Sequence, residues 1–254
     1  VNLTADKDNR LLMGLAERAD LIVDFTNVAV GNYVLGNLGP DEPFGGGVPG
    51  DDFPVADPAS TGQVMGFRVV PAVAPDPTTP PAFLVLPAIT RLTGGAARPL
   101  ALIEKAGIGF NAVGEEVEGP VEALLGTVTG NPNIAPGVWA EKLWSDAVTE
   151  FPAVGATEVW EFYNATADAH PMHVHEVAFQ VVDRQDISVD EGTHEVQVVP
   201  GSVPTLPEPW ENGWKDTVIA YPGQVTRLRL RFTNPGQFVW HCHIVEHEDN
   251  EMMR

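Results

Sequence analysis

Cys242 is the only cysteine among 254 residues, and it stands between His241 and His243, with His247 and Met252 following closely behind. The run Phe238-Val239-Trp240 ahead of it is β-branched and aromatic, which predicts a strand that carries through Cys242. Side chains alternate across a strand, so His241 and His243 take one face and Cys242 the other. A chain built on this segment must fold so that each face of one strand meets its own set of partners. His247 and Met252 lie past the strand end and can return over the cysteine side. A thiolate, an imidazole and a thioether form a soft ligand set suited to a redox-active copper.

The trigonal arrangement of such a copper needs a second imidazole. The sequence offers it in His170-Pro171-Met172-His173-Val174-His175, so that of the seven histidines only His194 lies outside the two motifs. Pro171 restricts the residue before it, which predicts His170 in a loop just ahead of a strand. His173 and His175 are two apart and share a strand face. Zinc also accepts Cys and His, but it leaves Met252 unexplained and too many histidines over. His194 falls in a loop before the GWKDT segment at 213–217.

HPMHVH at 170–175 and HCHIVEHEDNEMM at 241–253 resemble the two carboxy-terminal copper motifs of multicopper oxidases, the laccase and bilirubin oxidase family. Together with GWKDTVIAYPGQ at 213–224 and GLAERADLIVDF at 14–25, they are similar to the bacterial spore-coat laccase and phenoxazinone synthase branch. The resemblance implies that His170, Cys242 and His247 bind type 1 copper, with Met252 axial. It implies His173 as a ligand of type 2 copper, and His175, His241 and His243 as ligands of the paired type 3 coppers. The implied reaction takes single electrons from phenols, aromatic amines, bilirubin-like pigments or metal ions, enters at the edge of His247, and passes through Cys242 to His241 and His243. Dioxygen is then reduced to water. A chain with five methionines and no methionine-rich insert favours an organic reductant. Glu248 resembles the carboxylate that relays protons in that reduction. Its other reading is a solvated member of the acidic run Glu246 to Glu251. Asp216 and Trp214 are candidates to support ligand histidines. By resemblance the protein is secreted, periplasmic or on a spore surface.

One part of the family pattern is missing. The trinuclear cluster draws half of its histidines from a first cupredoxin domain, and residues 1–169 contain no histidine. His173, His175, His241 and His243 therefore call for a partner, the amino-terminal cupredoxin domain. Two other readings stay open. All four type 1 ligands lie within residues 98–254, so the chain could be a blue-copper electron-transfer domain by itself. It could also be an interaction fragment whose cluster histidines bind nothing.

The 25 glycines and 23 prolines favour many short strands over long helices. An all-β fold is expected: a Greek-key cupredoxin sandwich over residues 98–254, preceded by part of a second cupredoxin-like domain at 1–75 and a proline-rich connector at 76–97. In the first part, strands are expected within 3–38, including Leu21–Phe25 and Tyr33–Leu35, and over Gln63–Val70, with an irregular loop at 39–62. In the second, eight antiparallel strands are expected: Leu100–Glu104, Val138–Trp144, Thr157–Tyr163, Val174–Asp183, Glu195–Val199, Thr217–Ala220, Val225–Phe232 and Phe238–Cys242. Val225–Phe232 alternates most clearly, with Leu228, Leu230 and Phe232 inward and Arg227, Arg229 and Arg231 on a solvated face. Asp plus Glu outnumber Lys plus Arg by 35 to 14, a net charge of −21 that repels nucleic acid. No apolar run is long enough to span a bilayer, and a single cysteine forms no intramolecular disulfide.

Overall fold

The computed structural model describes residues 10–110 and 113–254. The chain divides into two compact units, residues 18–88 and residues 89–254 with the short segment that precedes residue 18. Residues 3–9 of the first expected strand region lie outside the described residues. Among the described residues, no helix is long and apolar enough to cross a membrane.

The smaller unit holds one antiparallel pair, β1 (Gly31–Gly36) and β2 (Gln63–Val69), with Tyr33 opposite Phe67. Phe25 packs on Phe67 at a ring-centre distance of 5.3 Å. The expected strand at Leu21–Phe25 does not form. Asp24 Oδ1 accepts the Thr26 backbone N–H at 2.9 Å and the Phe25 carbonyl accepts that of Val28 at 3.0 Å, so the chain turns where a strand would continue. Between β1 and β2 the glycine-rich stretch is irregular, with a single bridge between Pro49 and Phe53.

The larger unit is a closed barrel in the order β11-β6-β3-β4-β5-β9-β8, accompanied by a three-stranded sheet β10-β7-β12. Its strands are β3 (Ala96–Phe110), β4 (Glu116–Thr129), β5 (Gly137–Lys142), β6 (Thr157–Asn164), β7 (His170–Val174), β8 (Phe179–Asp190), β9 (Glu195–Val198), β10 (Thr217–Ala220), β11 (Gln224–Arg231) and β12 (Trp240–Cys242). A short α-helix, α1 (Val245–Glu248), follows β12.

Barrel closure explains a buried run such as Leu100–Ile103, which has no polar face. Leu100 and Leu102 join one core with Trp160, Phe162, Trp240, Cys242 and Met252, while Ala101 and Ile103 join a second with Leu124, Trp139 and Tyr163. Trp240 stacks on Phe162 at 5.5 Å and 14°, which anchors β12 on the first core.

The strands are not all antiparallel: β3 and β6 run parallel, from Ala96 opposite Glu158 to Leu102 opposite Asn164. The intervening β4 and β5 supply the crossover that a parallel pair needs. β4 was not expected, because Gly119, Pro120 and Gly126 punctuate it, and it tolerates them with a register shift at Lys105/Ala106. Val174–Asp183 is two strands, not one. The chain breaks at Glu176, whose φ of 74° lies in the left-handed region, and Glu176 Oε1 accepts the Asn234 N–H at 2.8 Å.

Arg227 is not on a solvated face either. It is buried, with Nη1 2.6 Å from Asp183 and Nε 3.3 Å from Glu161, so its charge is neutralised inside the barrel wall. His170 is the first residue of β7, opposite Ala220, rather than a loop residue. The extended backbone that Pro171 imposes on it is also strand backbone.

Candidate metal centre

β7 lies between β10 and β12, and its register with β12 sets the site. His241 is opposite His173 and Cys242 is opposite Met172. Because alternation holds on both strands, the two histidines share one face while Cys242 and Met172 enter the first core on the other. The His243 N–H then donates to the Pro171 carbonyl at 2.8 Å, which carries the pairing past the strand end.

On the core face, one donor atom each from His170, Cys242 and His247 lies within 4.8 Å of the others. His170 Nδ1 is 3.7 Å from Cys242 Sγ and 3.2 Å from His247 Nδ1. α1 turns the chain back to bring His247 there, and the Ile244 N–H donates to Sγ at 3.3 Å. Met252 is fully buried in the same core. Its N–H donates to the His247 carbonyl at 3.0 Å and its carbonyl accepts the Cys242 N–H at 3.1 Å. The thioether residue is thus tied by backbone to both neighbours.

The electrostatics of this face disfavour protons on nitrogen and retain one on sulfur. Burial, with a smaller contribution from His247, pushes the His170 imidazole down to about 3. Burial also lowers His247, against the pull of Asp168 and Glu246. The Cys242 thiol is pushed up to about 12, chiefly by burial. Neutral imidazoles with lone pairs beside a thiol that lacks a cationic neighbour are a donor set that could hold a metal ion in exchange for the thiol proton. Two nitrogens, a sulfur and a thioether residue match copper's preferences.

On the opposite face, donor atoms of His173, His241 and His243 lie within 4.8 Å of one another. His175 Nε2 is 3.2 Å from His241 Nε2. The His173 ring nitrogen Nδ1 is 2.7 Å from the Asp216 carbonyl, and His241 Nδ1 is 2.9 Å from the Cys242 carbonyl. A carbonyl only accepts, so both Nδ1 atoms carry a proton, which leaves Nε2 as the ring atom that can serve as a ligand; in His241 that atom faces His175 Nε2. Burial lowers His173, His175 and His243, which favours their neutral rings. Glu248 Oε2 sits 3.4 Å from His241 Nδ1 and 3.9 Å from His243 Nδ1, and Glu248 is half-buried where Glu246 and Asp249 are exposed.

All eight residues singled out in the two motifs therefore sit on the two faces of β12. Trp214 is exposed, and His194 stacks on Trp139 at 5.2 Å, joining neither group. Three neighbours were not anticipated. Glu104 and Asp168 form a further group with His247. Burial, with the Asp168 charge, pushes the Glu104 carboxyl up to about 7. Thr166 Oγ1 is 2.7 Å from His170 Nε2. Glu104 and Thr166 sit in strand and loop segments of ordinary composition, with no local signal; Asp168 alone of the three stands next to a motif, two residues before His170.

Two solved structures share this all-β cupredoxin fold. They are a variant of McoA multicopper oxidase from Aquifex aeolicus (TM-score 0.52, 24% identity, 91% of this chain and 42% of that one) and a multicopper oxidase from Pediococcus acidilactici (TM-score 0.50, 22% identity, 76% and 32%). The chain belongs to the multicopper oxidase family, which it matches over residues 125–254, and copper is the cofactor of that family. It is 35% identical to a laccase of Bacillus subtilis over 253 residues, which cover 98% of this chain and 42% of that protein. It is 30% identical to a laccase of Haloferax volcanii over 247 residues, 96% of this chain and 34% of the relative. The chain thus spans less than half the length of these relatives.

Proposed function

We propose that this chain is the portion of a laccase-like multicopper oxidase that accepts electrons from an aromatic reductant and delivers them to a site of dioxygen reduction. The observation that carries the reading is the division of labour across β12, with Cys242 Sγ beside His170 Nδ1 on one face and His241 paired with His173 on the other. In this reading His170, Cys242, His247 and Met252 would hold type 1 copper, His173 would hold type 2 copper, and His175, His241 and His243 would hold the type 3 pair. Copper held there would supply one-electron redox chemistry between the reductant and dioxygen.

The protein's own groups do the rest. His170 is fully buried while His247 is only partly so, which makes the His247 edge the approach for phenols or aromatic amines. The covalent route from Sγ through the Cys242 backbone reaches His241 and His243 within one residue on either side. Glu248 Oε2, close to the Nδ1 atoms of both, is placed to relay protons to the oxygen side. The amino-terminal cupredoxin domain supplies the remaining histidines. Residues 98–254 act as the carboxy-terminal cupredoxin domain, 1–75 as part of a second, and 76–97 as the connector.

A second reading, a blue-copper electron-transfer domain without oxidase activity, is favoured by the fact that all four sulfur-side residues lie inside the unit of residues 89–254. Copper counting, visible absorption and oxygen uptake distinguish the two. The oxidase reading expects thiolate-to-copper absorption in the purified chain, with oxygen uptake appearing once the amino-terminal domain is supplied. Absorption without uptake in that mixture leaves the electron-transfer reading. Retention of the absorption in Cys242→Ser overturns both.

A further inference from the structure

Thr166 and Asn164 form a closed polar network against the far side of His170. Asn164 is fully buried, and its Nδ2 donates to two carbonyls, Asp168 at 2.7 Å and Ala220 at 3.0 Å, which fixes the orientation of the amide. Its Oδ1 therefore faces Thr166, where it accepts the backbone N–H at 2.9 Å and lies 2.9 Å from Oγ1. The same hydroxyl is 3.1 Å from the Asp168 carbonyl and accepts the Asp168 N–H at 3.2 Å.

A hydroxyl has one proton to give. Oδ1 and the Asp168 carbonyl can only accept, so the Thr166 proton goes to one of them. If it went instead to His170 Nε2, both oxygen contacts near 3 Å, rather than one of them, would be left with lone pairs facing each other. The 2.7 Å contact between Oγ1 and Nε2 is therefore made with the ring as donor. Glu104 Oε1, at 3.7 Å from the same nitrogen, is beyond hydrogen-bond reach.

We propose that Thr166, oriented by Asn164, is the positioning residue that holds His170 as the Nε2–H tautomer and so keeps its Nδ1 lone pair aimed at the space shared with Cys242 Sγ and His247 Nδ1. Loss of the hydroxyl leaves a buried ring free to place its proton on Nδ1, the atom needed as a ligand. The inference rests on the proposed assignment of His170 as a copper ligand only for its consequence, since the tautomer itself is a property of the metal-free chain.

The test uses the full chain, labelled with 15N. In the metal-free protein the ring nitrogen shifts of His170 are expected to report Nε2–H, with Thr166→Ser indistinguishable and Thr166→Val shifted toward Nδ1–H. Titration with copper against a competing chelator is expected to show about a 10-fold or greater loss of affinity in Thr166→Val, restored by Thr166→Ser. An unchanged tautomer and unchanged affinity in a folded Thr166→Val overturn the proposal. If that variant does not fold, the unsubstituted chain decides, because an Nδ1–H tautomer there refutes the argument directly. A chain with ordered Nε2–H that binds no copper would instead sink the proposed function and leave the positioning intact.

Discussion

Cys242 Sγ and His170 Nδ1 face each other at 3.7 Å across the core side of β12, although 72 residues separate them. The contact follows from register: Cys242 is opposite Met172, and His170 lies two residues earlier on the same face of β7. Both side chains are withdrawn from water, so the pair is held in place before any ligand arrives.

Metal binding should report on this pair through stability. A ligand that binds only the folded state at 100 times its Kd adds about 2.7 kcal/mol. Copper is expected to raise the thermal midpoint of the chain, chelation to reverse it, and Cys242→Ser to lose most of the gain. Calorimetry with and without copper checks this.

Met252 separates packing from redox tuning. Met252→Leu conserves volume in a full core and should cost less than about 1.5 kcal/mol, whereas Met252→Ala should cost about 2–5 kcal/mol. Because a weak axial group tunes the potential of a cysteine-bound copper, Met252→Leu is expected to shift the reduction potential upward at nearly unchanged stability. Denaturant titration and voltammetry on the same samples give both numbers.

Glu248 can be isolated from the sulfur side. Glu248→Gln keeps the shape and removes the carboxyl group's ability to exchange a proton near His241 Nδ1. Copper content and visible absorption should stay as they were, while oxygen uptake with the amino-terminal domain supplied falls by about 100-fold or more. Equal uptake by the variant would remove the proton-delivery role.

The Arg184–Glu211 pair makes stability depend on pH. Burial raises the Glu211 carboxyl, but Arg184, which reaches it through Nη1 at 2.8 Å and Nη2 at 2.6 Å, outweighs that and leaves it below the ordinary 4.5. A carboxyl whose folded value is depressed stabilises the fold above its unfolded value. The contribution is therefore complete above about pH 4.5 and is lost as pH falls through the folded value. Arg184→Met should flatten this acid limb in denaturation measured from pH 6 downward.

The sequence by itself determined the alternation around Cys242, because a strand's two-residue period is a property of the local backbone and places His241 and His243 opposite the thiol wherever the strand lies. It also determined the supply of soft donors in two short motifs, and the all-β character that glycine, proline and β-branched residues impose. Which residues surround those donors follows from the folded arrangement alone. The pairing of β12 with β7, the parallel contact of β3 with β6, and the burial of Arg227 depend on register and solvation summed over distant segments, so nothing adjacent in the chain encodes them. Thr166 and Glu104 are ordinary residues by composition, and they acquire meaning from standing within 4 Å of the His170 ring. A ligand's chemistry is covalent and can be read locally, whereas its tautomer and dielectric surroundings belong to the folded neighbourhood.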